Sequence, residues 1–510
     1  MKRLNILLVS PKTYAENTSE QKLGEHKFYP FSIVFLVNHL RKKNLCDVDY
    51  LDLALSSRDD LRKLVSENKF DMIGFTSSIQ ARFDSIDMIK EARKLSPASL
   101  IATGGFFFSS TAIEAMENIP EIDFIVRGEG EFTLQELVET LSAGSSDFEQ
   151  INGLSYRKDG KVFSNPPRIQ TKELGHLLID YDIITKPGYD YFFPMRHYEK
   201  EKILAFPLML GRGCNNKCIF CMHRYLMHRV LNIDEIIAQI DLIIKRFGSR
   251  NFAFTDPSFS ERKDFVKEFC EALIKRNYNL NWYCEGRADI PREMLELMRR
   301  AGCISMEFAL ESGSNKVLKA IRKNINVSQI EDFAKNTTKL GIRTSFFSMV
   351  SLPDETRDDF LMTFEMIKML YKYGMRTSLA PLLIFPGTEA EKIARERDVM
   401  PKGFSWFDRT YSCNYKFCHP REKNMPHYLE LLTEDDVCQF VGMLRKLNGQ
   451  RPFYKEIGDY AKSLPKYCKS TKAIATRLIK AKTGNERAAI IKDTATIVKN
   501  KIAALKKPTQ

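Results

Sequence analysis

No apolar run in the chain approaches the roughly 20 residues that would cross a bilayer. The longest, from Ser32 to Val37 and from Leu379 to Phe385, are far shorter, so no transmembrane helix is expected. The start does not read as a secretion signal either. The apolar stretch after Met1-Lys2-Arg3 ends at Val9 and leads into Ser10-Pro11-Lys12 without a small-residue cleavage site, and it reads as a buried first strand. Also missing are a GxGxxG or P-loop signature and any repeat at a solenoid period. The 11 cysteines are odd in number and spread over a long chain, which argues against a disulfide framework and for reduced thiols in the cytosol. Most are expected to be structural, and a few to be ligands.

With 510 residues, 44% of them hydrophobic and 28% charged, there is ample material for a core. The size prior is two to four domains of an ordinary globular protein. The net charge of +13 invites a nucleic-acid reading until it is located. Residues 1–440 hold equal numbers of basic and acidic side chains, whereas 441–510 hold 17 basic and 4 acidic. The body is charge-balanced, which lowers the odds that its main cleft follows a phosphate backbone.

Residues 1–145 alternate short apolar runs with helical patterns. Asn5 to Val9, Val48 to Leu51, Met72 to Phe75, Leu100 to Thr103 and Phe124 to Val126 read as strands. Between them lie helical patterns at Phe31 to Lys42, Arg58 to Glu67, Ser85 to Lys94 and Thr133 to Leu141. This is the order of a doubly wound, Rossmann-like parallel sheet. Its strands end in Ser10-Pro11, Thr76-Ser77-Ser78, Gly104-Gly105 and Gly128-Glu129-Gly130-Glu131. Small and hydroxylic residues at such ends let a ligand approach the backbone and hydrogen-bond there. Residues 146–200 read as a linker with a small hairpin around Asp159-Gly160. A second βα series over 201–400 predicts a partial parallel barrel with its chemistry at the strand C-termini. The region 401–510 reads as mainly helical.

The most informative words are Gly211-Arg212-Gly213-Cys214-Asn215-Asn216-Lys217-Cys218-Ile219-Phe220-Cys221. Three thiols within eight residues can converge on one inorganic centre. Structural zinc and ordinary 4Fe-4S sites take four protein ligands, but no fourth cysteine stands beside the triad; His223 is near, and Cys413 and Cys418 are remote. An incomplete set leaves one metal position open to a small molecule. Cys413 and Cys418 could form part of a second metal site, but without another nearby pair they read as structural or incidental thiols. The run Phe106-Phe107-Phe108 could face a ligand or substrate, though a buried domain interface is the better explanation.

Cys-x3-Cys-x2-Cys with Phe220 before its last cysteine resembles the signature of the radical S-adenosylmethionine (SAM) superfamily. The resemblance continues at Asp256-Pro257-Ser258-Phe259, Arg287-Ala288-Asp289, Glu311-Ser312-Gly313-Ser314, Leu352-Pro353-Asp354-Glu355-Thr356 and Phe385-Pro386-Gly387-Thr388. It implies that Cys214, Cys218 and Cys221 hold a 4Fe-4S cluster and that Phe220, Asp256, Arg287, Glu311 and Ser312 lie at or near the SAM pocket. For Arg287 and Glu311 the competing reading is an internal ion pair at the barrel rim. The chain carries Ser351 where many relatives have glycine before Leu-Pro.

The first domain is similar to the cobalamin-binding domain of the cobalamin-dependent radical SAM enzymes. Pro30-Phe31-Ser32, Gly74-Phe75-Thr76-Ser77-Ser78, Ala102-Thr103-Gly104-Gly105 and Val126-Arg127-Gly128-Glu129-Gly130-Glu131 carry that likeness. It implies cobalamin contacts at Ser10, Thr76, Ser77, Gly104, Gly105, Gly128, Glu129, Gly130 and Glu131. The Asp-x-His-x-x-Gly motif that brings an axial histidine to cobalt is absent, and His26 reads as a surface residue. A base-off cofactor without a histidine ligand is expected.

Together these likenesses imply a radical SAM methyltransferase that methylates an unactivated carbon through a 5′-deoxyadenosyl radical and methylcobalamin. The alternatives are a ring-forming or rearranging enzyme on the same scaffold and, from another class, a zinc-containing nucleic-acid-binding protein. The partners expected are a small-molecule, lipid or peptide substrate and an electron donor such as flavodoxin or ferredoxin, with no nucleic acid. A cytoplasmic location is expected. The lysine-rich tail, densest from Lys466 to Lys507, is a candidate for peripheral membrane contact or for a helix packed on its own domain.

Overall fold

The structure, a computed structural model, describes residues 2–12, 28–187, 191, 193–195, 197, 201, 203–418 and 422–447. His26 and the tail lie outside these residues. Residues Met1–Val437 form one compact unit and Cys438–Gln510 a second.

The first sheet contains β1 (Asn5–Ser10), β2 (Asp47–Asp52), β3 (Met72–Thr76), β4 (Leu100–Gly104), β5 (Phe124–Val126), β6 (Leu154–Lys158) and β7 (Lys161–Ser164), in the order β2-β1-β3-β4-β5-β6-β7. Its first five strands pair in parallel. Of these, β1, β3, β4 and β5 are buried nearly throughout, as a sheet covered by helices on both faces requires. The covering helices are α1 (Phe31–Lys42), α2 (Arg58–Glu67), α3 (Arg82–Leu95), α4 (Gly105–Ser110), α5 (Ala112–Asn118) and α6 (Gly130–Ser142). Ser57 and Asp60 form a capping box at the start of α2, and Leu61 and Val65, one turn apart, supply its buried face. The order 2-1-3-4-5 puts a switch point between β1 and β3, where an open α/β sheet holds its ligand.

The hairpin β6–β7 corrects the sequence reading. It pairs antiparallel to β5 and extends the first sheet, so it belongs to that domain rather than to a linker.

The barrel is a half-open sheet. It comprises β8 (Phe193–Pro194), β9 (Leu204–Leu208), β12 (Asn251–Phe254), β13 (Asn281–Gly286), β14 (Cys303–Glu311), β15 (Arg343–Val350) and β16 (Arg376–Pro381), in the order β16-β15-β14-β13-β12-β9-β8. All pair in parallel except β8. Six parallel strands give the partial (β/α)6 barrel. Its strands alternate with α7 (Ile233–Phe247), α8 (Lys263–Arg276), α9 (Arg292–Arg300), α10 (Asn315–Ala320), α11 (Val327–Lys339), α12 (Arg357–Lys372) and α13 (Glu389–Glu396). Capping boxes start three of these helices: Asn232 with Glu235, Asn326 with Gln329, and Thr356 with Asp359. A two-stranded ribbon of β10 (Gly211–Arg212) and β11 (Arg229–Val230) stands after β9 and carries the cysteine loop between its strands.

After the barrel, residues 401–418 and 422–430 form an irregular strap ahead of the helical end. His427 bridges antiparallel to Leu383, and Ile384 N donates to Pro426 O, so the strap adds an edge just beyond β16. Helix α14 (Glu434–Leu447) is the described part of the expected helical end; acids in its first turn and bases in its last suit the helix dipole. Among the described residues no helix is long and apolar enough to cross a membrane.

Candidate active site

The ribbon sets the cysteine loop through two glycines. A Cβ on Gly211 would lie 2.5 Å from Arg229 O, and one on Gly213 would lie 2.2 Å from Met227 O. Gly213 also has φ +77°, so only glycine brings the strands this close. From there Cys214 N donates to Leu226 O, Ile219 N to Ile321 O and Cys221 N to Cys218 O. Cys218 is buried, while Cys214 and Cys221 are half-buried. Burial pushes all three thiols up, and neighbouring charges act on each. The only group of three ligand atoms within 4.8 Å of one another among the described residues lies elsewhere. The three thiols of the triad follow one another on a single loop, from which they can converge on one polynuclear cluster.

Around Cys218 the structure gathers Arg287, Glu311 and Lys323. The competing reading, an ion pair between Arg287 and Glu311, is not what the structure shows. Arg287 Nε instead faces Asp289 Oδ1 at 3.2 Å, and its Nη2 donates to the carbonyls of Lys323 and Asn324. Glu311, in the left-handed region at φ +60°, accepts from Lys323 Nζ at 2.8 Å. Burial lowers the Lys323 ammonium, but Glu311 and Cys218 outweigh it and leave it raised. Lys323 was missed in the sequence, where a lysine in a loop carries no periodic or motif signal.

Two further sequence candidates are occupied by the fold. Asp256 receives the Leu210 N–H at 3.1 Å, tying the end of β9 to β12, and burial pushes its carboxyl up to about 7. Ser312 is fully buried, hydrogen-bonded to Thr363 Oγ1 and to Ser314 N. Phe220 sits half-buried in the turn before Cys221. Beside Asp256, Thr255 Oγ1 and Ser258 Oγ are buried without hydrogen-bond partners, a need that a polar ligand at the β12 terminus satisfies. Ser351 keeps φ +64°, the conformation its glycine counterparts favour, and its buried hydroxyl has no partner.

A cavity of about 550 Å³ opens at the C-terminal ends of β1, β3, β4 and β5, within the range of cofactor sites. All nine residues expected to contact cobalamin line it, from Ser10 to Glu131. Gly211, Arg212, Gly213, His223 and Leu226 close it from the barrel side. The buried Thr103 Oγ1 at its wall has no partner, and Gly128 has no atom within 4 Å of a would-be Cβ. These features fit a large ligand that brings its own polar groups. Of the histidines among the described residues, only His223 lines the cavity, and it comes from the barrel. Phe107 and Phe108 are buried as expected, but Phe106 lines the cavity with its ring 5.3 Å from that of His223.

Glu131 and Glu129 are not open to ligand along their whole length. Glu131 forms a bidentate pair with Arg212, and Glu129 pairs with Arg229, so the two carboxylates hold both strands of the cysteine ribbon. Burial raises the Glu131 carboxyl, yet the adjacent guanidinium outweighs it and brings the carboxyl to about 2.

Residues 208–393 match the sequence model of the Radical SAM superfamily, and residues 25–138 that of the B12 binding domain. The chain is 28% identical over 398 residues to the uncharacterized methyltransferase PH0819 of Pyrococcus horikoshii, spanning 76% of this chain and 82% of that one. It is 27% identical over 350 residues to the anaerobic magnesium-protoporphyrin IX monomethyl ester cyclase of Rubrivivax gelatinosus, spanning 66% and 62%. The radical SAM methyltransferase TsrM from Kitasatospora setae, solved with cobalamin and a 4Fe-4S cluster bound, shares the fold. Its TM-score is 0.65 at 17% identity, over 87% of this chain and 91% of that one. With a B12 binding domain ahead of a radical SAM domain, the chain belongs to the cobalamin-dependent radical SAM enzymes, whose cofactors are a 4Fe-4S cluster, SAM and cobalamin.

Proposed function

We propose that this enzyme is a methyltransferase acting on an unactivated carbon, with Cys214, Cys218 and Cys221 holding the cluster. One observation carries the reading: the strand ends of the B12 domain and the glycines leading into Cys214 line the same cavity. When bound, the cluster with SAM supplies a carbon-centred radical and cobalamin carries the methyl group.

The protein's part is to position and to exclude. The Glu131–Arg212 and Glu129–Arg229 pairs fix the cysteine ribbon against the B12 domain. Arg287, Glu311 and Lys323 set the charge beside Cys218 and, with Thr255 and Ser258, offer the polar groups for SAM. Thr76, Ser77 and Thr103 receive the polar parts of cobalamin, while Phe106 and Leu226 keep the cavity dry. A flavodoxin or ferredoxin serves as electron donor. The substrate is a small molecule, lipid or peptide, and nucleic acid plays no part.

Anaerobically reconstituted enzyme given SAM, cobalamin and a reductant tests this. Methyl transfer yields 5′-deoxyadenosine and S-adenosylhomocysteine with a methylated product, and label from the SAM methyl group appears on carbon. The Rubrivivax gelatinosus relative, a cyclase, favours a second reading: deoxyadenosine without S-adenosylhomocysteine would establish it. Cys218→Ala should abolish deoxyadenosine formation, and retained cleavage refutes the ligand assignment.

A further inference from the structure

Outside the cofactor cavity, the post-barrel strap gathers a second set of soft ligands. Cys413 Sγ, Cys418 Sγ and a ring nitrogen of His427 lie within 4.8 Å of one another. Bond lengths of about 2.0–2.3 Å to a tetrahedral ion place ligand atoms roughly 3.4–3.8 Å apart, so the group already has the scale of one mononuclear site. His427 points to the same conclusion independently. Its side chain is completely buried, and neither ring nitrogen makes a well-formed hydrogen bond; the Cys413 thiol and the Glu422 carboxylate are the polar groups that face it. A buried imidazole with two unsatisfied nitrogens is an energetic liability, which a metal bond removes at one of them. Glu422 Oε2 stands 3.7 Å from His427 Nε2.

We propose that Cys413, Cys418 and His427 bind a structural zinc ion, separate from the cluster held by the triad. Two thiolates and an imidazole suit zinc, and two thiolates neutralise its charge. The rings of Tyr415 and Phe417 stack on each other, and both meet His427 edge to face, screening the ion from water.

The location gives the ion its task. His427 lies on the strand edge added beyond β16, and Tyr428 N donates to Leu382 O. Just before it, Asn424 O and Met425 Sδ receive the guanidinium of Arg82, which reaches over from α3 of the B12 domain. Zinc at this point pins the strap to the last barrel strand and so holds the acceptors that Arg82 needs.

The test uses the full chain purified anaerobically. Plasma mass spectrometry should find about one zinc per chain, lost in Cys413→Ser and His427→Ala and kept in Cys214→Ala. Cobalt added to zinc-free wild-type protein should give the visible absorption of a tetrahedral thiolate site, which reports on the site even if the variants fail to fold. The proposal is overturned if wild-type protein holds no more zinc than Cys413→Ser and shows no such cobalt spectrum. Iron-sulfide at these residues, or a Cys413–Cys418 disulfide in the anaerobic preparation, overturns it equally.

Discussion

Arg212 grips Glu131 with two parallel hydrogen bonds, of 2.6 Å and 3.1 Å, from a position two residues before Cys214. The pair is buried, with side chains 13% and 3% exposed. A carboxylate of the B12 domain thereby fixes the start of the cysteine loop in the barrel.

Replacing Glu131 with Gln leaves the buried Arg212 charge without its bidentate partner and with Glu129 alone to offset it. Loss of about 3 kcal/mol is expected, read as a lower denaturation midpoint. The sign with pH follows from a folded carboxyl depressed to about 2 against its ordinary 4.5. Its stabilisation is complete above 4.5 and disappears as pH falls through 2. The gap between wild type and variant should therefore narrow on acidification, and a gap that widens contradicts the assignment.

Asp256 has the opposite sign. Its buried carboxyl, raised to about 7 from 3.8, favours folding below 3.8 and loses that advantage as pH rises through 7. Between pH 5 and 8 the cofactor-free chain should lose about 2–3 kcal/mol from this group. Asp256→Asn keeps an acceptor for Leu210 N–H and should flatten that slope, so unfolding curves at both pH values decide the matter.

Ser351 holds a left-handed conformation and a buried hydroxyl without a partner. Ser351→Gly relieves both, offset by the greater freedom of glycine in the unfolded chain. A net gain of about 0.5–1 kcal/mol in thermal unfolding is expected; destabilisation would show that the hydroxyl has a role in the fold.

Gly105 and Gly160 both have positive φ, but a Cβ on Gly105 would sit 2.6 Å from Thr76 Oγ1 and 2.8 Å from Ser77 O, whereas Gly160 faces open space. Gly160→Ala should cost about 1 kcal/mol from conformation alone. Gly105→Ala should cost more and also weaken cobalamin retention, measured by the corrin absorbance left after gel filtration. Equal effects of the two substitutions would remove Gly105 from the cobalamin wall.

The parallel strands were legible because runs buried on both faces stand out between turn residues; β3 and β5 fall within one residue of the expected bounds. The membership of β6 and β7 was not, since nothing local says that a hairpin will pair with β5. At the site, the nine strand-end residues converge because they occupy equivalent places in one topology. Asp256 and Ser312 had a motif's residue types, but their contacts with Leu210 and Thr363 depend on elements far away in sequence. Lys323 and His427 were invisible for the same reason: each matters through a partner on another segment.

Arg82 is 1% exposed, and Nε and Nη2 reach the carbonyls of Trp406 and Asn424, 324 and 342 residues downstream. Burial has already lowered its guanidinium to about 10. A polypeptide ended at α13 would still contain every residue of both matched domains, yet it would leave this buried cation with Ile79 O alone, its acceptors at Trp406, Asn424 and Met425 gone. The two halves are thus not interchangeable modules: whatever shortens or grafts this enzyme has to carry the strap along, because the N-terminal domain finds part of its own interior there.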